Sequence, residues 1–318
     1  MPIERIAIFG TGLIGASAGL ALRSCGFEGT IAGWDPDEQQ LHVALSRGAI
    51  TVAADAPQMA AANSDLILLA GPVFTILENL DQLAPILRED QLVTDVGSVK
   101  GAICAHARSK FNNPGQPGFL PGHPMAGKEV SGAAHADANL FNGSVWLFTD
   151  DATSGPDRKA GEAASLSSRP ERGEVDEPAS SSQPSPASAL ALEWRSWVTK
   201  FGARIVDLPP DRHDVLCAWV SHLPQFVSTA LAALLQDEFA ANSDLLPIGG
   251  RALREMTRLG ASPFSMWRDI AHTNSEAVAH CLHALEQRLA HIRQNLKTPE
   301  LREEFERANR FRPNGPRS

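Results

Sequence analysis

The stretch "RIAIFGTGLIGASAGLAL", residues 5–22, joins a short apolar run to a helix-forming one through Gly10-x-Gly12-x-x-Gly15. A glycine pattern alone is weak evidence, but here it follows a strand-like run and opens a helix. In that setting Gly10 allows the tight turn, Gly12 lets backbone approach a pyrophosphate, and Gly15 lets helix and strand pack closely. The helix start, at Leu13 and Ile14, supplies free N–H groups and a partial positive charge to phosphate. Twenty residues beyond Gly15, Asp35 closes a second apolar run, "TIAGWD". Its carboxylate accepts hydrogen bonds from a ribose 2′-hydroxyl and repels a 2′-phosphate, so the expected cofactor is NAD rather than NADP.

Working outward, "DLILLAG" (65–71), "QLVTDVG" (91–97) and "SVWLFT" (144–149) also read as strands, separated by helical stretches. Nearly continuous apolar strands of this kind belong to a parallel sheet covered on both faces. The expected fold is α/β, a Rossmann-type doubly wound, mainly parallel sheet followed by an all-helical C-terminal dimerisation domain. Residues 151–190 interrupt the pattern with nine serines, five prolines and few large aliphatics, and are expected to form a disordered insertion. The helix "ALEWRSWVTKFG" and the strand "ARIVDL" are then expected to return to the same sheet. After Pro209–Pro210 the pattern is helical throughout, which gives domains at 1–208 and 209–318. Within 276–296, Val278, Cys281, Leu282, Leu285, Leu289, Ile292 and Leu296 form one apolar stripe, suited to a homodimer.

A formal charge of −9 argues against a nucleic-acid partner. No stretch reads as a membrane span, and the N-terminus runs straight into a strand rather than a signal peptide, so a cytoplasmic location is expected. Cys25, Cys104, Cys217 and Cys281 lack metal-site or disulfide spacing, and no metal is expected. No separate domain is expected after residue 297 or ahead of residue 1.

Four further motifs, "DVGSVKG" (95–101), "GHPMAGKEVSG" (122–132), "SHLP" (221–224) and "TRLGASPFSMWRDI" (257–270), stand in the order in which they occur in one family. The chain resembles the prephenate/arogenate dehydrogenases along nearly its whole length outside 151–190 and the tail. The resemblance implies an NAD-dependent oxidative decarboxylation: hydride leaves C4 of a cyclohexadienol, the ring loses CO₂, and a phenol forms. It makes His123 the catalytic histidine that accepts the C4 hydroxyl proton, and Ser98 a hydroxyl bridging nicotinamide, substrate and His123. Pro124 favours an extended backbone at His123, and Ser98 is also suited to cap the following helix. Arg258 is implied to bind a substrate carboxylate, as a planar guanidinium does well. Arg251 and Arg254 read as a solvated basic face, and Lys100 as solvated.

By family position Glu129 gates the pocket, Trp267 walls it, and His222 lies near the substrate, although periodicity alone makes His222 a core histidine. Pro224 frees the carbonyl of Val220 and predicts an irregular helix there. Two departures bear on specificity. Gln225 stands where many prephenate-using members carry a histidine, and Lys128 where a small hydroxyl residue is common, which leaves prephenate and L-arogenate both open. A β-hydroxyacid dehydrogenase needs a lysine in the helical domain, and after Lys200 only Lys297 remains. A non-catalytic NAD-binding sensor would not need Ser98, His123 and Arg258 together.

Overall fold

The computed structural model describes residues 2–111, 115–149, 186–239 and 245–311. Among the described residues the strands are β1 (Arg5–Phe9), β2 (Thr30–Trp34), β3 (Val52–Ala53), β4 (Leu66–Leu69), β5 (Leu92–Asp95), β6 (Gly118–Leu120), β7 (Gly122–Pro124), β8 (Val145–Phe148) and β9 (Arg204–Asp207). The helices of the first half are α1 (Leu13–Ser24), α2 (Glu38–Ser46), α3 (Pro57–Ala62), α4 (Val73–Leu83), α5 (Gly101–Lys110) and α6 (Pro186–Lys200). Those of the second half are α7 (Pro210–Cys217), α8 (Leu223–Phe239), α9 (Leu245–Ile248), α10 (Arg251–Thr257), α11 (Phe264–Thr273), α12 (Ser275–Gln294) and α13 (Pro299–Arg310). They divide into two compact units, residues 1–213 with 263–269, and residues 214–262 with 270–318.

In the first unit a six-stranded sheet has the order β3-β2-β1-β4-β5-β6, with every pairing parallel. The order reverses between β1 and β4, the kind of switch point beside which doubly wound sheets bind ligands, outside the strands' carboxyl ends. The central strands are buried along their length, as the unbroken apolar runs predict. The expectation that 144–149 and "ARIVDL" join this sheet is corrected. They form a second sheet, β7-β8-β9, with β7 antiparallel and β9 parallel to β8. The buried rings of Trp146, Trp194, Phe141 and Phe201 pack beneath it, with Trp146 and Trp194 meeting edge to face at 6.1 Å.

The proposed insertion 151–190 falls largely outside the described residues. Its end is corrected: α6 begins at Pro186, and Leu190 is buried in the core. An apolar residue that returns once per turn toward Trp194 and Val198 starts the helix earlier than composition suggested.

In the second unit a buried cluster of Ala218, Val278 and Cys281 is joined by Leu223, Phe226 and Ala277. The irregularity expected near Pro224 is present as a π-helical turn over Ala218–His222. The helical run Pro210–Phe239 is long and apolar enough to cross a membrane by length and composition, contrary to the sequence reading. Within it His222 and Gln225 are buried and hydrogen-bonded to Asn274 and to the Leu259 carbonyl. The apolar stripe of residues 278–296 is only partly covered: Val278 and Cys281 of α12 are buried, whereas Leu282 and Leu289 of α12, and Leu296 beyond its end, are exposed.

Candidate active site

Two of the three glycines of the turn are required by its own geometry. Gly10 has φ +90°, and a Cβ there would lie 2.7 Å from the Ala70 carbonyl oxygen. A Cβ at Gly15 would stand 2.0 Å from the Gly10 oxygen, so any larger residue would push α1 off the strand. At Gly12 nothing lies within 4 Å of the Cβ position. Glycine is therefore not required there by the protein's own packing, whereas a ligand pressed against the backbone would require it. No side chain caps α1, so the first-turn amides at Leu13 and Ile14 are not answered by a capping group. Asp35 ends β2 with Oδ2 accepting from the Thr11 amide at 2.7 Å, and Oδ1 from the Asp37 amide at 3.0 Å. The acid is thus fastened to the turn that would hold the phosphates, and these residues fit a dinucleotide.

The second half of the site grows from the end of β5. The sequence "DVGSVKG" places Asp95 as the last strand residue, fully buried, with Lys100 fully buried against it. Lys100 is therefore not solvated, and that reading is corrected. Its Nζ donates both to Asp95 Oδ2 and, at 2.8 Å, to the Gly122 carbonyl oxygen. Asp95 in turn accepts from the amides of Gly97 at 2.8 Å and Gly122 at 3.2 Å. Both backbone groups of Gly122 are thereby held by one buried ion pair, and the next residue is His123. A Cβ at Gly97 would meet Ile103 Cδ1 at 2.5 Å, so the end of that side chain would have to shift to admit a larger residue.

Ser98 lies half-buried on this loop, two residues ahead of Lys100, the N-cap of α5. It is not the helix cap, and that expectation is also corrected. Cys104, further along α5, bonds Thr149 at 3.4 Å, and burial pushes its thiol up to about 11.

His123 occupies the middle of β7 opposite Leu147, 6% exposed. Its Nδ1 lies 2.9 Å from Nε2 of His213, a fully buried residue on α7. Glu129 is half-buried in the loop after β7. That loop is anchored on α2, where Gln40 Oε1 accepts from the Ala133 amide at 2.7 Å. Lys128 turns outward to Asp137 at 3.2 Å, and together with the Asn139 amide lowers that carboxyl's pKa. Trp267 belongs to the first unit, one residue before Arg268, which lies over the Phe74 ring.

The remaining predicted residues sit together in the second unit. Arg258 opens a 3-10 turn (258–261) directly after α10, with an exposed side chain. Gln225 is buried and donates to the Leu259 carbonyl at 2.7 Å and to Thr229 at 3.1 Å. Its Oε1 accepts from Ser262 at 3.1 Å, so the amide braces the turn that carries Arg258. His222 accepts at Nδ1 from Asn274, which also donates to the Asp214 carbonyl.

With that geometry in place, two family models match: the nucleotide-binding domain of prephenate dehydrogenase over residues 18–162, and its dimerization domain over residues 209–309.

The chain belongs to the prephenate dehydrogenase family.

It is similar to the prephenate dehydrogenase of Lactococcus lactis subsp. cremoris, 27% identical over 276 residues and 86% of this chain. It is likewise similar to that of Bacillus subtilis, 28% identical over 280 residues and 86% of this chain. The chain spans 66% and 65% of the length of these two curated relatives. Among solved structures, it superposes on A. aeolicus prephenate dehydrogenase in complex with hydroxyphenyl propionate and NAD⁺. That match has a TM-score of 0.75 and 27% identity, and covers 98% of this chain and 95% of that one.

The prephenate dehydrogenase motifs "DVGSVKG" and "GHPMAG" were legible, but two of the groups that hold them together were not. Lys100 reads as solvated in the sequence because surface lysine is the default. His213 gives no signal there, since an isolated histidine in the first turn of a helix carries no local trace of a partner ninety residues away.

Proposed function

We propose that this chain catalyses the NAD-dependent oxidative decarboxylation of prephenate to 4-hydroxyphenylpyruvate, acting as a cytoplasmic homodimer. The observation that carries the reading is His123 itself. It is a buried imidazole on a strand whose preceding residue is clamped at both N–H and C=O, fixed to the β5 end of the sheet that carries the glycine-rich turn.

NAD, when bound, takes up the hydride from substrate C4. The chain's own residues supply the rest. Gly10, Gly12, Gly15 and the amides of Leu13 and Ile14 receive the pyrophosphate, and Asp35 the adenosine ribose. His123 accepts the C4 hydroxyl proton as the carbonyl-like character develops, with Ser98 bridging the same hydroxyl. The electron pair of the breaking C–CO₂ bond passes into the ring, which becomes aromatic. Arg258 holds a substrate carboxylate, and by family position Glu129, Trp267, His222 and Gln225 are assigned to substrate binding. The A. aeolicus relative, crystallised with a hydroxyphenyl acid and NAD⁺, supports this assignment. The exposed leucines of α12 and the matched dimerization domain support the homodimer.

One observation favours L-arogenate as the second reading. Gln225 is uncharged, and its amide is engaged by Leu259, Thr229 and Ser262, so no imidazolium stands at this position to repel the ammonium that L-arogenate carries in place of the keto group of prephenate. Incubation with NAD and either substrate should yield NADH, and the ratio of kcat/KM values decides between them; silence with both would favour a non-catalytic sensor. His123→Asn should bind substrate and NAD yet lose at least roughly 10²-fold in kcat. An unchanged kcat would remove His123 from the mechanism.

A further inference from the structure

We propose that His213 is a positioning residue that sets the tautomer of His123, holding its proton on Nδ1 so that Nε2 is presented as a base. The inference rests on the reading of His123 as the proton acceptor, and deepens it.

The two rings meet at 2.9 Å between His123 Nδ1 and His213 Nε2, with centroids 5.1 Å apart and planes inclined at 57°. A hydrogen bond of that length between two imidazoles contains one proton, and it has two arrangements. If His213 donates, His123 carries its own proton on Nε2 and cannot accept another from a substrate hydroxyl. If His123 donates from Nδ1, its Nε2 has a lone pair, and His213 must carry its proton on Nδ1. Only the second arrangement gives a base.

The pair also serves the imidazolium. As the hydroxyl proton reaches Nε2 of His123, the Nδ1–H becomes a charged donor, and its bond to neutral His213 strengthens. A carboxylate in the same place would stabilise the imidazolium more, but would add a negative charge beside an anionic substrate. A buried neutral imidazole orients the base without that repulsion. The site is rigid enough for this to matter. His123 sits on a paired strand, and the preceding Gly122 is held at N–H and C=O by Asp95 and Lys100, so the backbone is fixed and the bond to His213 acts on the ring.

The test compares His213→Leu with His213→Gln, whose Oε1 can take the place of the accepting Nε2. His213→Leu should lower kcat by roughly 10²-fold, with KM for substrate and the Kd for NAD within about threefold of wild type. His213→Gln should recover most of that loss. In the His123→Asn background, His213→Leu should cost nothing further, because the partner it orients is gone. Nitrogen-15 spectra of histidine-labelled wild-type protein, at a pH where both rings are neutral, should show His123 protonated at Nδ1. The leucine variant should lose that preference.

A kcat in folded His213→Leu within threefold of wild type, a glutamine variant no better than leucine, or a wild-type His123 protonated at Nε2 would each overturn the proposal. Should the variants fail to fold, the wild-type spectrum still decides. Full activity in His123→Asn would instead refute the underlying mechanism, so the two failures are distinguishable.

Discussion

Replacing Lys100 by methionine isolates what the buried pair at the end of β5 contributes. The substitution removes the ammonium and leaves the Asp95 carboxylate fully buried. Breaking such a pair from one side costs about 3–5 kcal/mol, because the remaining charge has lost its counter-ion. Asp95 retains the amides of Gly97 and Gly122, so the lower part of that range, roughly 3 kcal/mol, is expected. For a unit of about 200 residues this is a fall in Tm of roughly 6–12 °C. Asp95→Asn should cost a similar amount, since it leaves the buried ammonium without its counter-ion. The double variant buries no charge, and should recover at least about 2 kcal/mol of the summed losses. Thermal melting and urea denaturation of the full-length chain measure all four corners of this cycle. Since His123 follows Gly122, kcat should fall in both single variants as well. A Lys100→Met variant less than about 1 kcal/mol below wild type, or a double variant equal to the sum of the singles, would refute the argument that this pair is what fixes the strand end.

Other outcomes follow from the same geometry. Gly12→Ala should fold with an unchanged Tm, since nothing lies within 4 Å of the new methyl, yet bind NAD at least roughly tenfold more weakly by calorimetry. Gly15→Ala should fail structurally, because its methyl would collide with the Gly10 oxygen at 2.0 Å. Arg258→Gln should raise KM by roughly 10²-fold with a smaller effect on kcat, as expected for lost carboxylate binding; the reverse split in steady-state kinetics would move Arg258 into the chemical step. Cys104 holds its proton to about 11 when folded, against an ordinary value of 9.0. Its contribution is complete below pH 9 and is lost as the pH climbs toward 11, by roughly 3 kcal/mol at about 1.4 kcal/mol per tenfold change in proton affinity. Denaturation at pH 8 and pH 10.5 should therefore show a steeper alkaline loss in wild type than in Cys104→Ala.

Residue by residue, the legible features are those whose cause is local. Gly10 and Gly15 can be read from a linear pattern because they answer steric demands made within one strand–turn–helix unit. Asp35 is legible because the length of a βα unit fixes how far along the chain the second strand must end. His123 is legible through the motif around it. The partners of these residues are not. Lys100 looks like any surface lysine until β5 and β7 bring a carboxylate and a carbonyl to the same point. Ser98 looks like a helix cap until the helix is seen to begin at Gly101. The strand at 145–148 has an apolar pattern equally suited to either sheet, and only its antiparallel register with 122–124 decides which it joins.

By itself, then, the sequence determined the class of fold, the dinucleotide turn and the identity of the candidate base, since backbone sterics and short-range spacing act over a few residues. Tertiary structure alone decided which charge is buried, which sheet carries His123, and which histidine meets it. Those depend on groups distant in the chain approaching within hydrogen-bond reach, and no linear periodicity encodes that approach.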